Sequence, residues 1–155
     1  MDYVVNYLLK NHLTISTMES ATGGEVASSI TNIPGASEVL FFSAVTYSNE
    51  YKIRFGVPKE VIDKYTVYSK ETARSMAKAI SDYTGSTIGI GTTGKMNRED
   101  KANPYGENDI LYASIYDSRI KKYKDIKLKM TYEERSKNKE LVVESLSKEL
   151  KNMLY

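Results

Sequence analysis

The chain has no cysteine, no tryptophan and a single histidine among its 155 residues. Without thiols there are no disulfides, no thiolate zinc sites and no cysteine nucleophile. One histidine cannot build a multi-histidine metal site. His12, isolated at the end of a helix, reads as a surface residue rather than a catalytic base. Long apolar runs are missing as well. The longest, residues 39–42, falls far short of the ~20 residues that a membrane span requires. The opening Met-Asp-Tyr-Val-Val lacks a basic region followed by an apolar stretch, so no secretory signal is read and a cytoplasmic location is expected. Neither sign of charge dominates. The 22 Lys and Arg against 20 Asp and Glu leave +2, with −1 over the first 77 residues and +3 over the last 78. That balance gives no basic arm for nucleic acid.

What is present is an ordinary globular composition, 41% hydrophobic and 27% charged, which excludes wholesale disorder and suits a single domain over residues 1–155. There is no repeat and no linker. The apolar period alternates between helical and strand spacing. Val4, Val5, Leu8 and Leu9 mark one face of a first helix, and Leu13, Ile15 and Thr17 alternate as a strand. Gly23-Gly24 opens a second helix running to about Thr31, stopped by Asn32-Ile33-Pro34-Gly35. Residues 39–47 are rich in β-branched and aromatic side chains and predict a buried strand. Short helices are expected at 50–55 and 59–65. Ser69 is a good N-cap for a helix whose face is Ala73, Met76, Ala77, Ile80 and Tyr83, ended by Thr84-Gly85. Strands are expected at 87–92 and 110–116, separated by a polar loop. A further strand carries Ile126, Leu128 and Met130 in alternation with lysines. Leu141, Val142, Leu146, Leu150, Met153 and Leu154 stripe a last helix. The alternation predicts a three-layer α/β/α sandwich around a mixed β-sheet.

The segment Thr17-Met18-Glu19-Ser20-Ala21-Thr22-Gly23-Gly24 passes from a strand into a helix, the position where open α/β sheets place ligands. Exposed N–H groups at a helix start hold oxyanions or phosphates, so Ser20 could be a nucleophile beside its own oxyanion hole. The plainer reading makes Ser20 or Thr22 an N-cap and the glycines a turn. A serine nucleophile needs a base. Tyr47 closes a strand and Lys52 falls five residues later, so both could face one cleft. A lysine partly desolvated beside a hydroxyl loses its proton near neutral pH. The basic run from Arg119 to Lys124, with Lys127 and Lys129, alternates with apolar residues. It reads as a solvated sheet face or an edge guarded by lysines, not as a nucleic-acid patch.

Taken together, Glu-Ser-x-Thr-Gly-Gly, Pro-Gly-Ala-Ser and Val-Thr-Tyr-Ser-Asn-x-x-Lys-Ile-x-x-Gly-Val resemble the C-terminal domain of the competence/damage-inducible protein CinA. Stand-alone members of that family are nicotinamide mononucleotide (NMN) deamidases of pyridine nucleotide metabolism. The likeness continues through Ser-Lys-Glu-Thr-Ala-Arg-Ser-Met at 69–76, Thr93-Gly94 and Tyr-Glu-Glu-Arg at 132–135. The resemblance implies that Ser20 is the nucleophile and that Tyr47 and Lys52 complete a Ser-Tyr-Lys set. It implies that Thr22, Gly23, Gly24, Thr93, Gly94 and Arg135 hold the mononucleotide. The implied reaction is hydrolysis of the nicotinamide carboxamide to the acid and ammonia. No cofactor and no metal are implied. The expected partner is a small NMN-like nucleotide, with no nucleic acid and no membrane, in a homo-oligomer.

The pattern departs from the family after Thr93-Gly94. A glycine-rich loop is replaced by Lys95-Met96-Asn97-Arg98-Glu99-Asp100, and Gly106 alone remains near the next strand. Lys95 and Arg98 suit a phosphate by charge, against the plain alternative of a solvated loop. The competing functional reading is a catalytically weak domain of the same family that binds a nucleotide-type ligand or a protein partner.

Overall fold

Helix α1 (Asp2–Lys10) turns Val4, Val5 and Leu8 inward, and the chain then enters β1 (Ile15–Glu19), buried along its whole length. The computed structural model describes residues 1–155. Helix α2 (Glu25–Thr31) and a 3-10 turn at Ala36–Glu38 lead to β2 (Ser43–Val45). Three helices follow, α3 (Asn49–Arg54), α4 (Lys59–Tyr65) and α5 (Lys70–Thr84), before β3 (Ile88–Gly94). Strands β4 (Ile110–Asp117) and β5 (Lys122–Lys129) precede the terminal helix α6 (Arg135–Leu154). The single sheet has the order β2-β1-β3-β4-β5. β1 pairs in parallel with both β2 and β3, whereas β3–β4 and β4–β5 are antiparallel, so the sheet is mixed as expected.

The parallel half positions the site. The chain leaves β1 for β2 on one side and returns to β3 on the other. A crevice therefore opens beyond the carboxyl end of β1, because its two crossovers diverge there. Helices α1, α2 and α6 cover one face with a core that includes Leu8, Ile30, Ile90, Ile115 and Leu146. Helix α5 covers the other, where Met18, Met76 and Ile80 pack with Val57. Helix α5 lies so close to β3 that no side chain fits between them. A Cβ on Gly89 would stand 2.0 Å from the Ala77 carbonyl oxygen, and one on Gly91 2.3 Å from that of Ala73. Ser69 caps α5 by accepting the Thr72 N–H at 3.1 Å, and Gly85 closes it in the left-handed region at φ 71°.

Two local expectations change. The strand predicted over 39–47 shortens to Ser43–Val45, because residues 39 and 40 end a 3-10 turn, their N–H groups bonding to the Ala36 carbonyl. Phe41 is 73% exposed. Tyr83 does not share the buried face of α5 but lies exposed over Phe55, ring centroids 5.3 Å apart. The lysine-rich strand β5 is a sheet edge, as read, with Lys124 and Lys129 paired to Glu149 and Asp109 at 3.2 and 3.4 Å. His12 is exposed. No helix is long and apolar enough to cross a membrane.

Candidate active site

The turn that follows β1 is organised by a residue that the sequence patterns did not single out. Glu19, the last residue of β1, is fully buried. Its Oε1 accepts from the Thr17 hydroxyl at 3.0 Å and the Ala27 N–H at 2.8 Å. Its Oε2 accepts from the Thr22 hydroxyl at 2.7 Å and from the N–H groups of Gly24 and Val26 at 3.0 and 3.1 Å. The first N–H groups of a helix have no partner within it, and its amino end carries partial positive charge. A carboxylate beneath α2 meets both needs. Gly23 and Gly24, with φ of 60° and 100°, supply the left-handed turn that wraps the chain over it.

This arrangement corrects the expected ligand roles of the turn. The Thr22 hydroxyl is buried against Glu19 and Thr92, the latter at 2.7 Å. The Gly23 N–H bonds to the Ser20 carbonyl at 2.9 Å, and that of Gly24 to Glu19. Neither glycine N–H is available to an oxyanion. The N–H groups of Ala21 and Thr22 alone in this turn meet no acceptor in the chain. Nor is Ser20 or Thr22 the N-cap of α2; that position is Gly24.

Ser20 is held by its own N–H, which bonds to the Thr92 carbonyl at 3.1 Å across to β3. Its hydroxyl accepts from Lys52 Nζ at 3.2 Å. Lys52 sits on α3, a helix capped by Ser48, which accepts the Tyr51 N–H. The lysine is 1% exposed, and its ammonium also donates to the Thr46 carbonyl at 2.8 Å. It has no carboxylate partner, so burial is uncompensated and lowers its pKa to about 8. Ser20 and Lys52 are thus brought together as expected, from elements far apart in the chain.

Tyr47 is not part of that pair. It is 67% exposed, and its hydroxyl lies 3.5 Å from the Arg135 guanidinium, with hydrogen bonds to neither Ser20 nor Lys52. It follows β2 at the sheet edge, where the chain turns outward before α3 turns Lys52 inward. Thr93 is also displaced from its expected role. It is buried within β3, and its hydroxyl donates to the Val67 carbonyl at 2.8 Å. Gly94 and Arg135 do face the crevice, a cavity of about 740 Å³ that Ser20, Ala21, Tyr47 and Lys52 also line.

The loop after β3 is anchored at its start, where Lys95 and Met96 are buried, while Arg98 and most of the residues beyond it are exposed. The Lys95 N–H continues the ladder to the Ile110 carbonyl at 3.1 Å, and Met96 is plugged into the core. The Asn97 side chain donates to the Tyr132 carbonyl at 2.7 Å. Tyr68 donates to Asp100, which also accepts from Asn103 at 3.0 Å, and Asn49 on α3 donates to Asn103 at 3.1 Å. Burial and the Asp100 carboxylate push the Tyr68 phenol above its usual range. The hydrogen bonds from Tyr68 and Asn103 hold Asp100 below the usual carboxylate range. Lys95 is 3% exposed, Arg98 is exposed, and both line the cavity. No three His, Asp or Glu side chains converge as metal ligands would.

The fold and site define an α/β/α domain with a serine–lysine pair at the switch point of a mixed sheet. The profile of the CinA family, described as the CinA C-terminal domain, matches residues 1–153, and the chain belongs to that family. A putative competence-damage inducible protein of Clostridium botulinum is 51% identical over 94 residues, 60% of this chain and 23% of that protein. One of Clostridium perfringens is 50% identical over the same shares. The matched stretch thus spans about a quarter of these relatives' length. Among solved structures, a CinA superfamily protein of Klebsiella pneumoniae superposes with a TM-score of 0.86 at 19% identity, covering 99% of this chain and 94% of that one. A competence or damage-inducible protein of Enterobacter asburiae gives 0.84 at 21% identity, covering 98% and 94%. These likenesses bear on the fold.

Proposed function

We propose that the domain is an amidohydrolase of the NMN deamidase type, with Ser20 as nucleophile and Lys52 as its base. The observation that carries this reading is the buried Lys52 ammonium, 3.2 Å from the Ser20 hydroxyl, with its pKa drawn down to about 8. A lysine so placed is neutral in a useful fraction of molecules near neutral pH. Ser20 Oγ attacks the carboxamide carbon as its proton passes to Lys52 Nζ. The oxyanion meets the free N–H groups of Ala21 and Thr22, the kind of contact worth about 3 kcal/mol per donor. Lys52 returns the proton to the departing ammonia, leaving an ester on Ser20. Water then attacks the ester, Lys52 takes the water's proton and passes it to Ser20, and the acid leaves. Amide and water become carboxylic acid and ammonia, with the enzyme restored.

Arg135 and Tyr47 form a polar rim at which the rest of the nucleotide is held. The test is ammonia release from NMN by the purified chain, compared with Ser20→Ala. Release that Ser20→Ala abolishes supports the reading, and a wild-type chain that releases none refutes it. The second reading, binding without turnover, is favoured by the bulky and charged residues Lys95 to Asp100, which stand where the family resemblance leads one to expect glycines. NMN binding without ammonia release would select it. The proposal includes a homo-oligomer, tested by light scattering.

A further inference from the structure

Lys95 is, with Lys52, one of the two buried lysines of the chain. It is 3% exposed, yet it forms no ion pair. Its ammonium donates to the neutral Asn108 side chain at 3.2 Å and lies 5.3 Å from the centre of the Tyr68 ring. Buried charges in folded proteins are as a rule paired, because desolvation is unfavourable unless an opposite charge offsets it. Asp100, an acidic residue lining the same cavity, is already engaged by Tyr68, Asn103 and the Ala102 N–H. The other, Glu99, is exposed and makes no ion pair. Lys95 is also held in place before any ligand arrives, since its N–H pairs with Ile110 and the adjacent Met96 is locked in the core. Little side-chain freedom remains to be lost on binding.

We infer that Lys95, backed by Tyr68 and Asn108, is an anion subsite that takes the phosphomonoester of the substrate and sets specificity for a phosphorylated over an unphosphorylated ligand. The inference rests on reading the cavity as the substrate site. A phosphate fits better than a carboxylate because Arg98 and Arg135 line the cavity together with Lys95, and a dianion can meet several of these cations at once while Asp100 stays engaged by Tyr68 and Asn103.

The test titrates the full chain with ribose 5-phosphate, ribose and inorganic phosphate by calorimetry, alongside Lys95→Met. Ribose 5-phosphate should bind and ribose should not, and Lys95→Met should weaken the phosphorylated ligand ten- to hundredfold. Ligand-free Lys95→Met should melt no lower than wild type, because it removes a buried unpaired charge, and ribose 5-phosphate should no longer raise its melting temperature. A purely structural lysine predicts the reverse, a lower melting temperature with ligand affinity unaltered, and that result overturns the subsite. Inorganic phosphate binding as tightly as ribose 5-phosphate also overturns it, since the site would then hold a free anion. Absence of ammonia release with Lys95-dependent binding intact defeats the deamidase reading and leaves the subsite standing. Full deamidase activity with an unchanged KM in Lys95→Met does the opposite.

Discussion

Replacing Glu19 with Gln changes one oxygen to an amide nitrogen and nothing in shape, so its effect isolates the hydrogen bonding beneath α2. The carboxylate accepts from five donors, three of them backbone N–H groups. A glutamine can keep only one acceptor oxygen. Its least costly placement puts the nitrogen where Oε1 stands, since the Thr17 hydroxyl can rotate to accept. The Ala27 N–H then faces another donor. An orphaned buried donor costs about 1–3 kcal/mol, and the three remaining bonds lose the strengthening that a charged acceptor gives, about 0.5–1 kcal/mol each. The expected loss is about 3–5 kcal/mol, a large part of a typical domain's stability. With no tryptophan in the chain, urea unfolding is best followed by far-ultraviolet circular dichroism. Thr17→Val, which deletes one hydroxyl donor, serves as the control and should cost about 1 kcal/mol or less. A loss below about 1 kcal/mol in Glu19→Gln, with the denaturant slope unchanged, would falsify the account of this carboxylate as the cap of α2.

Ser20→Ala should abolish ammonia release while leaving the melting temperature nearly unchanged, because the hydroxyl only accepts a bond from Lys52. Retained turnover would remove Ser20 from the mechanism. If neutral Lys52 is the base, the rate rises with pH through about 8, and Lys52→Arg is nearly inactive because guanidinium does not deprotonate. A flat profile, or an active arginine variant, argues for a purely electrostatic role. The same lysine affects stability. Between about 8 and its unfolded value of 10.5 the unfolded chain holds a proton that the folded one lacks, so wild-type stability rises with pH across that window. Below it the full cost of burying the charge is felt. Lys52→Met should therefore flatten that rise and gain about 1–3 kcal/mol at pH 7, after the lost bonds to Thr46 and Ser20 are offset. A less stable Lys52→Met at pH 7 contradicts the uncompensated burial. Gly91→Ala would place a Cβ 2.3 Å from the Ala73 carbonyl and should cost about 3 kcal/mol or more in a melt. A near-neutral result would mean that α5 and β3 are less closely packed than described.

Local signals were legible where they act within a few residues. Ser69, the Ala73 to Ile80 face and Gly85 announce α5 from its own cap, period and stop, and residues 59–65 form the expected helix. Strand β2 is shorter than the apolar run at 39–42 suggests, because that run has strand composition while the backbone of residues 39 and 40 is committed to the Ala36 turn. Glu19 was invisible for a different reason. It caps a helix from five to eight residues upstream, outside the spacing at which caps are recognised, and its burial follows from the turn geometry alone. The Ser20–Lys52 pair became legible through the family pattern rather than through spacing. That pattern could not separate Tyr47, on the rim, from Lys52, beneath it, since both lie on one short segment. Lys95 looked like a loop cation because burial of a lysine depends on the core contact of its neighbour Met96.

The Ser20 N–H and the Thr22 hydroxyl both fasten to Thr92, seventy residues or more further along the chain. During synthesis Ser20 therefore leaves the ribosome well before the strand that anchors it. A nascent chain that has exposed β1, α2 and α3 already contains Ser20, Lys52 and every partner of the Glu19 carboxylate, but not the β3 residue to which the Ser20 N–H and the Thr22 hydroxyl are fastened. On the amidohydrolase reading, a fragment truncated before Thr92 should therefore release no ammonia.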